Sequence, residues 1–562
     1  MKFIVASLLL VFIIPLSVAK GVIRQSSLKV LLYNWHEFQV KAKSANANPY
    51  FDNGLSGKFV SPTGKVLVIN GFYDGDDVWK LRFSPTETGN WQYEIKGTTV
   101  NYSKKGMISC IKSADKGFIG IHPKNKYAFA YHSGKSFFPM GDTSYGLYDD
   151  SPVTPELRAA YLQLRSKQGF NFIRMEVGHS VNRAAADPAY WAWGGSVQHP
   201  DLDRFNPRFF KGFDTLLMQM KSKHLNAELI LLNFYRIPFT NTAIWTMERE
   251  QRWLKYLINR YAAFSNIFLW TVSNEYETHP DGAYRLDPSD VPWAIRTAQF
   301  IKNNDPYKHL TTVHSVISSS TAGTSPSSSI NYPWRIGGFF GNTVSIDVLS
   351  QQTGQNGNGT TWNSSKGYWE GDDINLVNSV AADRIYNKPV LNSENGYEYL
   401  AGQPDMKRQV HATDKLRRSA WRITCAGGYF AAGFNGTLAH SDIWNSIDAP
   451  NKYTFSLKDE GAANQLSIMY RFFTGLDFEL FHPYDAVKGD ALALAGPKQY
   501  IILLPHGGQS IVAFPTKIKV NYRWFNPRTG IYGKISYPMT TSRLVLDAPD
   551  KLDWVAVLTR TQ

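Results

Sequence analysis

Beyond Phe137 the chain keeps one rhythm, a short apolar run followed by a loop and an amphipathic helix, and this alternation constrains its fold more than any other feature. Eight such runs are read: Phe138 to Gly141, Phe170 to Met175, Glu228 to Asn233, Ile267 to Val272, His309 to His314, Thr343 to Leu349, Pro389 to Asn392 and Gly428 to Phe434. The intervening segments carry helix signals. Thr154-Pro155-Glu156 supplies an N-cap, a first-turn proline and a favourable acid, and Leu157, Ala160, Tyr161 and Leu164 then keep the spacing of a buried stripe. Strands alternating with helices build a parallel sheet, and eight βα units predict a closed (β/α)8 TIM barrel over residues 120–483. Three long loops follow strands, at Ser180 to Asn206, Ser315 to Asn331 and Gln351 to Asp373, on the face where barrel enzymes place their sites.

The flanks have a different period. In Val78 to Phe83, Trp79, Leu81 and Phe83 fall on one face and Lys80 and Arg82 on the other, and Trp91, Tyr93 and Ile95 repeat this after a turn. Residues 20–115 are therefore expected to form an N-terminal β-sandwich. Alternating strands return in residues 485–562, where Ile518, Val520, Tyr522 and Trp524 share a face, and a small C-terminal β-sandwich is expected.

Residues 1–19 combine Lys2, an apolar stretch from Phe3 to Ile14 and a Ser17-Val18-Ala19 ending, the pattern of a secretory signal peptide. The expected location is secreted or periplasmic. No later segment reaches the 18 apolar residues of a membrane span, so no membrane anchor is expected. The net charge of +14 is spread without a run of basic residues, which argues against a nucleic-acid partner and leaves room for an anionic polymer. Only Cys110 and Cys425 are present, so no disulfide framework is expected and both read as small buried hydrophobes. Hydrophobic residues at 43% exclude intrinsic disorder, and aromatics at 14% suit a protein that stacks on flat ligands such as sugars.

Metal, P-loop, dinucleotide and nucleophile-elbow motifs are absent from the sequence, so neither metal nor cofactor is expected. What remains is carboxylates. Glu275, in Ser273-Asn274-Glu275-Tyr276, follows the fourth strand, and Glu394, in Asn392-Ser393-Glu394-Asn395, follows the seventh. Strands four and seven face each other across an eight-stranded mouth, where two carboxyls about 5 to 5.5 Å apart act as nucleophile and acid/base in a retaining glycosidase. Asn274 suits a hydrogen bond to the sugar 2-hydroxyl. Asp142, Arg174 and His314 follow strands one, two and five and are candidate sugar-binding residues. Trp193 and Trp362, with Trp191 and Trp369 beside them, are candidate stacking platforms.

Asn274-Glu275 and Glu394 at these positions resemble the clan of retaining (β/α)8 glycoside hydrolases. Gly134 to Thr143, Gly169 to Arg174 and Asn392 to Glu398 are more specifically similar to the apiosidase-like barrel group. Arg82 to Trp91 resembles the β-sandwich often fused before such barrels, and Trp524 to Gly530 the small sandwich that follows them, sometimes labelled collagen-binding. The resemblance implies a glycoside hydrolase acting by double displacement on a polysaccharide or an oligosaccharide from one. It departs at strand six, where Ser350, Gln351 and Gln352 stand in place of the tyrosine that holds the nucleophile in many clan members. The rival expectations are a non-catalytic carbohydrate- or matrix-binding protein, which needs no carboxylate pair, and a polysaccharide lyase, which would want a Tyr, His or Lys base.

Overall fold

The computed structural model describes residues 28–149, 153–178, 181–285, 288–316, 336–353, 360–363, 368–371, 375–398, 410–411, 413–434 and 461–561. Residues 1–19, read above as a signal peptide, most of the Ser/Thr segment 315–331 and parts of the 351–373 loop lie outside them.

Eight parallel strands form the centre: β1 (Met140–Thr143), β2 (Phe172–Glu176), β3 (Asn226–Ile230), β4 (Ile267–Thr271), β5 (Leu310–Thr312), β6 (Leu349–Gln351), β7 (Val390–Asn392) and β8 (Tyr429–Phe434). Their order is β5-β4-β3-β2-β1-β8-β7-β6. The ring closes between β5 and β6 through a parallel bridge of His314 with Ser350, and through the Asp347 N–H donating to the Thr311 carbonyl at 2.8 Å. Besides a short helix at Val181–Ala186, eight α-helices are described along the same stretch: α1 (Pro155–Gln168), α2 (Pro207–Ser222), α3 (Met247–Tyr261), α4 (Val291–Asn304), α5 (Ile336–Phe340), α6 (Asn375–Arg384), α7 (Thr413–Cys425) and α8 (Gly461–Thr474). The α1 signals act as read: the Thr154 side chain accepts from the Leu157 N–H, Pro155 opens the helix and Gly169 ends it in the left-handed region.

The strands are covered by helices on one face and by one another on the other, so they are buried throughout, polar residues included. On β2, Ile173 and Met175 pack into the helix layer, while Phe172 and Arg174 point into the barrel. Gly141 makes room for that arrangement, because a Cβ there would lie 2.1 Å from the Phe172 ring. A small hairpin sheet at 119–137 sends Phe129 and Phe137 against Phe268 of β4, both at 5.3 Å. Strand six corrects the sequence reading. Thr343 to Val348 alternate like a strand, but they form a turn in which Val344 is 91% exposed, and β6 begins at Leu349.

The N-terminal region is a sandwich of a five-stranded and a three-stranded sheet, with Phe59 and Phe83 stacked between them at 4.0 Å. Trp79, Leu81 and Phe83 fill its core. Arg82, on the opposite face, is buried as well, because that face meets the barrel. Its Nη2 donates to Asp214 Oδ2 of α2 at 2.5 Å, and Arg260 of α3 grips the same carboxylate at 2.8 and 2.9 Å. Burial alone would raise the Asp214 pKa, but the two guanidiniums hold it down at about 2.

The C-terminal region is one six-stranded antiparallel sheet whose longest strand, Gln509–Phe525, shifts register between Ala513 and Ile518. One face encloses the region's own core of Tyr500, Ile502, Val512 and Leu558; the other lays Phe525 against Phe472 of α8 at 4.7 Å. Asp553 pins it to the barrel by accepting from Arg417 of α7 at 2.8 Å through both oxygens. Cys110 and Cys425 are free and buried. No helix among the described residues is long and apolar enough to cross a membrane.

Candidate active site

Both glutamates sit where their strands give way to loops at the C-terminal end of the barrel. Four hydrogen bonds fix the chain after β4: Val272 N–H to the Thr312 carbonyl at 2.9 Å, Asn274 N–H to the Leu232 carbonyl at 3.0 Å, Glu275 N–H to His314 Nδ1 at 3.4 Å and Tyr276 N–H to the His314 carbonyl at 2.9 Å. They hold Glu275 at φ 45°, a left-handed conformation that costs a side-chain-bearing residue energy and is found at sites whose surroundings enforce it. Glu394 is set by the Ser393 N–H donating to the Gln351 carbonyl at 2.9 Å and by the Asn395 N–H donating to the Ala431 carbonyl at 3.0 Å.

The surroundings of the two carboxylates differ. Glu394 Oε2 accepts from the Tyr145 hydroxyl at 2.6 Å and faces Arg174 Nη1 at 3.5 Å. Arg174, wholly buried, also donates to the Tyr145 oxygen at 2.8 Å and to Asn274 Oδ1 at 2.5 Å, and its Nε lies 3.4 Å from Glu228 Oε1 on β3. One guanidinium thus ties together the nucleophile candidate, the tyrosine that serves it and the asparagine before the second glutamate. Because an arginine only donates, Asn274 Oδ1 is turned toward it, and the amide N–H groups point away. Burial and the nearby Arg174 charge push His314 well below the ordinary histidine pKa, so it is neutral. Its Nδ1 accepts from Glu275 N–H, which puts the proton on Nε2, 3.8 Å from Glu394 Oε2.

No arginine among the described residues contacts Glu275. Its Oε2 accepts from the hydroxyls of Tyr235 and Tyr284, the latter at 3.0 Å. Burial and the charge of Glu394 push its pKa up to about 7, against the downward pull of Tyr235, Tyr284 and Gln352. The site therefore holds two carboxyls that act on each other: one in contact with a permanent cation, the other titrating near neutrality.

Of the residues singled out in the sequence, the structure gathers Glu275, Glu394, Asn274, Arg174 and His314 at this end of the barrel. Asp142 is not among them. Strand alternation turns Thr143 inward, where its hydroxyl donates to the Ser393 carbonyl, and turns Asp142 outward, where it accepts from Tyr161 at 2.6 Å and from Arg165, both on α1. Trp193 is also corrected. It is 1% exposed, stacked on Trp253 of α3 at 4.6 Å and packed against Trp191 at 4.9 Å, so it anchors its loop in the core and offers no face to a ligand. Trp362 pairs in register with Trp369 in a two-stranded ribbon, and its side chain lies outside the described residues. Sequence reasoning missed Tyr145, Tyr235 and Tyr284, and named Gln352 only as a departure at strand six, not as a partner of Glu275. Tyr145 lies three residues beyond Asp142 and gives Glu394 the tyrosine hydrogen bond that strand six does not supply.

A (β/α)8 barrel with carboxylates after β4 and β7, the first preceded by asparagine, defines a class of protein: the retaining glycoside hydrolases. The chain belongs to the apiosidase-like catalytic-domain family, whose model matches residues 123–479. Residues 31–98 match a second family, DUF5060, a domain of unknown function. Among solved structures, a candidate glycoside hydrolase from Bacteroides vulgatus superposes with a TM-score of 0.71 at 19% identity, covering 95% of this chain and 100% of that one. A family 5 glycoside hydrolase from the same organism gives a TM-score of 0.58 at 15% identity over 79% of this chain and 93% of that one. At these identities the likeness is one of fold. No curated protein matches the chain.

Proposed function

We propose that the protein is an exported enzyme that hydrolyses glycosidic bonds of a polysaccharide or derived oligosaccharide by double displacement, with Glu394 as nucleophile and Glu275 as acid/base. The observation that carries the assignment is the contrast between the two carboxyls: Glu394 faces Arg174 and Tyr145, whereas Glu275 is pushed up to about 7. Paired carboxyls whose environments separate their proton affinities divide the roles of acid and nucleophile.

In the first step a Glu394 oxygen bonds to the anomeric carbon as the glycosidic C–O bond breaks, and the Glu275 proton passes to the departing oxygen. In the second, Glu275, now a carboxylate, takes a proton from water, the water oxygen bonds to the anomeric carbon, and the bond to Glu394 breaks. Two inversions return the original configuration, and Glu275 ends protonated as it began. Asn274, its amide oriented by Arg174, donates to the sugar 2-hydroxyl. Tyr145 and Arg174 hold the nucleophile, and His314 Nε2–H stands ready to donate beside it.

Export rests on the pattern of residues 1–19, and the net charge, +14 for the full chain and about +13 once Lys2 leaves with those residues, supports an anionic, sulfated or uronate-containing substrate through long-range attraction. The test is chemical rescue on an activated aryl glycoside. Azide should restore turnover to Glu275→Ala and yield a glycosyl azide of retained configuration, and Glu394→Ala should not respond in this way. An inverted product from the wild-type enzyme would overturn the assignment.

A further inference from the structure

Tyr235, in the loop after β3, and Tyr284, in the loop after β4, are oriented the wrong way round for surface tyrosines. An exposed tyrosine normally buries its ring and sends its hydroxyl to water. Here both hydroxyls turn inward to Glu275 Oε2 and to each other, while the two residues are 36% and 56% exposed. The rings stand 5.8 Å apart at 60°, an open V of apolar surface at the mouth.

The loops that carry them are built to keep them there. Tyr235 N–H donates to Asn233 Oδ1 at 3.0 Å. The Tyr284 loop presses on the Tyr235 loop so closely that a Cβ at Gly282, at φ 83°, would lie 2.6 Å from the Phe234 carbonyl. Next to Tyr284, Arg285 N–H donates to the Glu277 carbonyl at 2.9 Å, and its guanidinium donates to the His279 carbonyl at 2.7 Å. Exposed aromatic surface held this firmly is a binding surface, and its position says for what. Whatever receives the proton of Glu275 lies against the groups bonded to Glu275, so the V borders the leaving group and not the glycosyl unit that Glu394 attacks.

We propose that Tyr235 and Tyr284 form the leaving-group subsite, stacking on a departing sugar ring or aryl group while their hydroxyls position the proton donor. The proposal rests on Glu275 as acid/base. It makes the preferred substrate one that continues past the cleaved bond as a ring with an apolar face, in place of a small alkyl group.

The test compares a 4-methylumbelliferyl glycoside, which puts a ring in the subsite, with the glycosyl fluoride of the same sugar, which does not. In Tyr284→Ala and Tyr235→Ala, the ratio of kcat/KM for the aryl glycoside to that for the fluoride should fall at least ten-fold, with KM for the aryl glycoside carrying most of the change. Tyr284→Phe and Tyr235→Phe keep the rings, so they should preserve that ratio but move the basic limb of the kcat/KM pH profile upward, since each removes a donor to the charged form of Glu275. The other titratable or charged groups around Glu275, namely Glu394, Arg174, His314 and Tyr145, are unchanged in all four variants. An unchanged ratio in the alanine variants, or an unmoved basic limb in the phenylalanine variants, overturns the proposal. Glu275→Ala with azide, run alongside, separates two kinds of failure: rescue with unselective tyrosine variants rejects the subsite alone, and absence of rescue rejects the acid/base assignment and the subsite with it.

Discussion

Replacing Tyr145 by phenylalanine removes one oxygen that makes two hydrogen bonds in the site. Glu394 loses its 2.6 Å donor, and Arg174 Nη1 loses an acceptor at 2.8 Å. A hydrogen bond to an ionised group contributes about 1.5 to 3 kcal/mol, and at 1.36 kcal/mol per decade complete loss would slow the reaction roughly 10- to 150-fold. The hydroxyl serves the rate by aiming the carboxylate at the anomeric carbon, and Arg174, at 3.5 Å from Glu394, can close in as a replacement donor and recover the upper part of that range. The expected fall in kcat/KM is therefore about 10- to 50-fold. Steady-state kinetics on an aryl glycoside measure it, and circular dichroism confirms that the variant is folded. A loss below three-fold would show that Tyr145 does not serve the nucleophile and that the vacancy at strand six is filled by another group.

Three further outcomes are expected. Glu275 binds its proton more tightly in the folded chain than its ordinary value of 4.5 allows, so its contribution to stability falls as pH rises from 4.5 to about 7; Glu275→Gln should gain up to about 3 kcal/mol over wild type at pH 8 and nothing at pH 4 from this source, and equal urea-unfolding offsets at the two pH values would exclude it. Asp214→Asn breaks the buried pairing with Arg82 and Arg260 and should destabilise the sandwich–barrel junction by about 3 to 5 kcal/mol at pH 7; since its depressed pKa makes the Asp214 contribution fade as pH falls from 3.8 toward about 2, the variant should approach wild type in acid, and a cost under 1 kcal/mol at pH 7 would refute the reasoning. If the net charge of +14 recruits an anionic polymer, KM for that polymer should rise clearly between low and high salt while kcat/KM for a neutral aryl glycoside barely changes; an equal response of both removes the anionic reading.

The barrel was legible because its strands are apolar runs ending in polar residues, and that pattern also pointed to Glu275 and Glu394. Strand six shows where the pattern misleads: Thr343, Val344, Ser345 and Ile346 have strand-like residues, but the Ile346 N–H closes a turn on the Thr343 carbonyl and Val344 is left in water. Asp142 shows a second limit. A carboxylate at a strand end is visible in sequence, but a shift of one residue turns it from the barrel interior to the helices, and the Gly141 that admits Phe172 sets that phase only in three dimensions. Tyr145 escaped because its partner lies 249 positions away, and no local pattern records such a meeting. Trp193 was misread for the opposite reason. A tryptophan in a loop suggests a ligand platform, yet Trp253 on α3 covers its face.

The carboxylate of Asp214 is shared by a guanidinium from the sandwich and another from α3, with Arg260 reaching on to Asp74 at 2.8 Å. Such a junction restricts how these parts can be exchanged in evolution or by engineering. A foreign sandwich grafted onto this barrel would have to bring its own counterpart of Arg82, or else leave an acid and a base of mismatched number sealed away from water. The reverse holds for this sandwich on another barrel. The two therefore behave as a single heritable part, and substrate range can diversify at the loops beyond the strands without any need to reshuffle the domains beneath them.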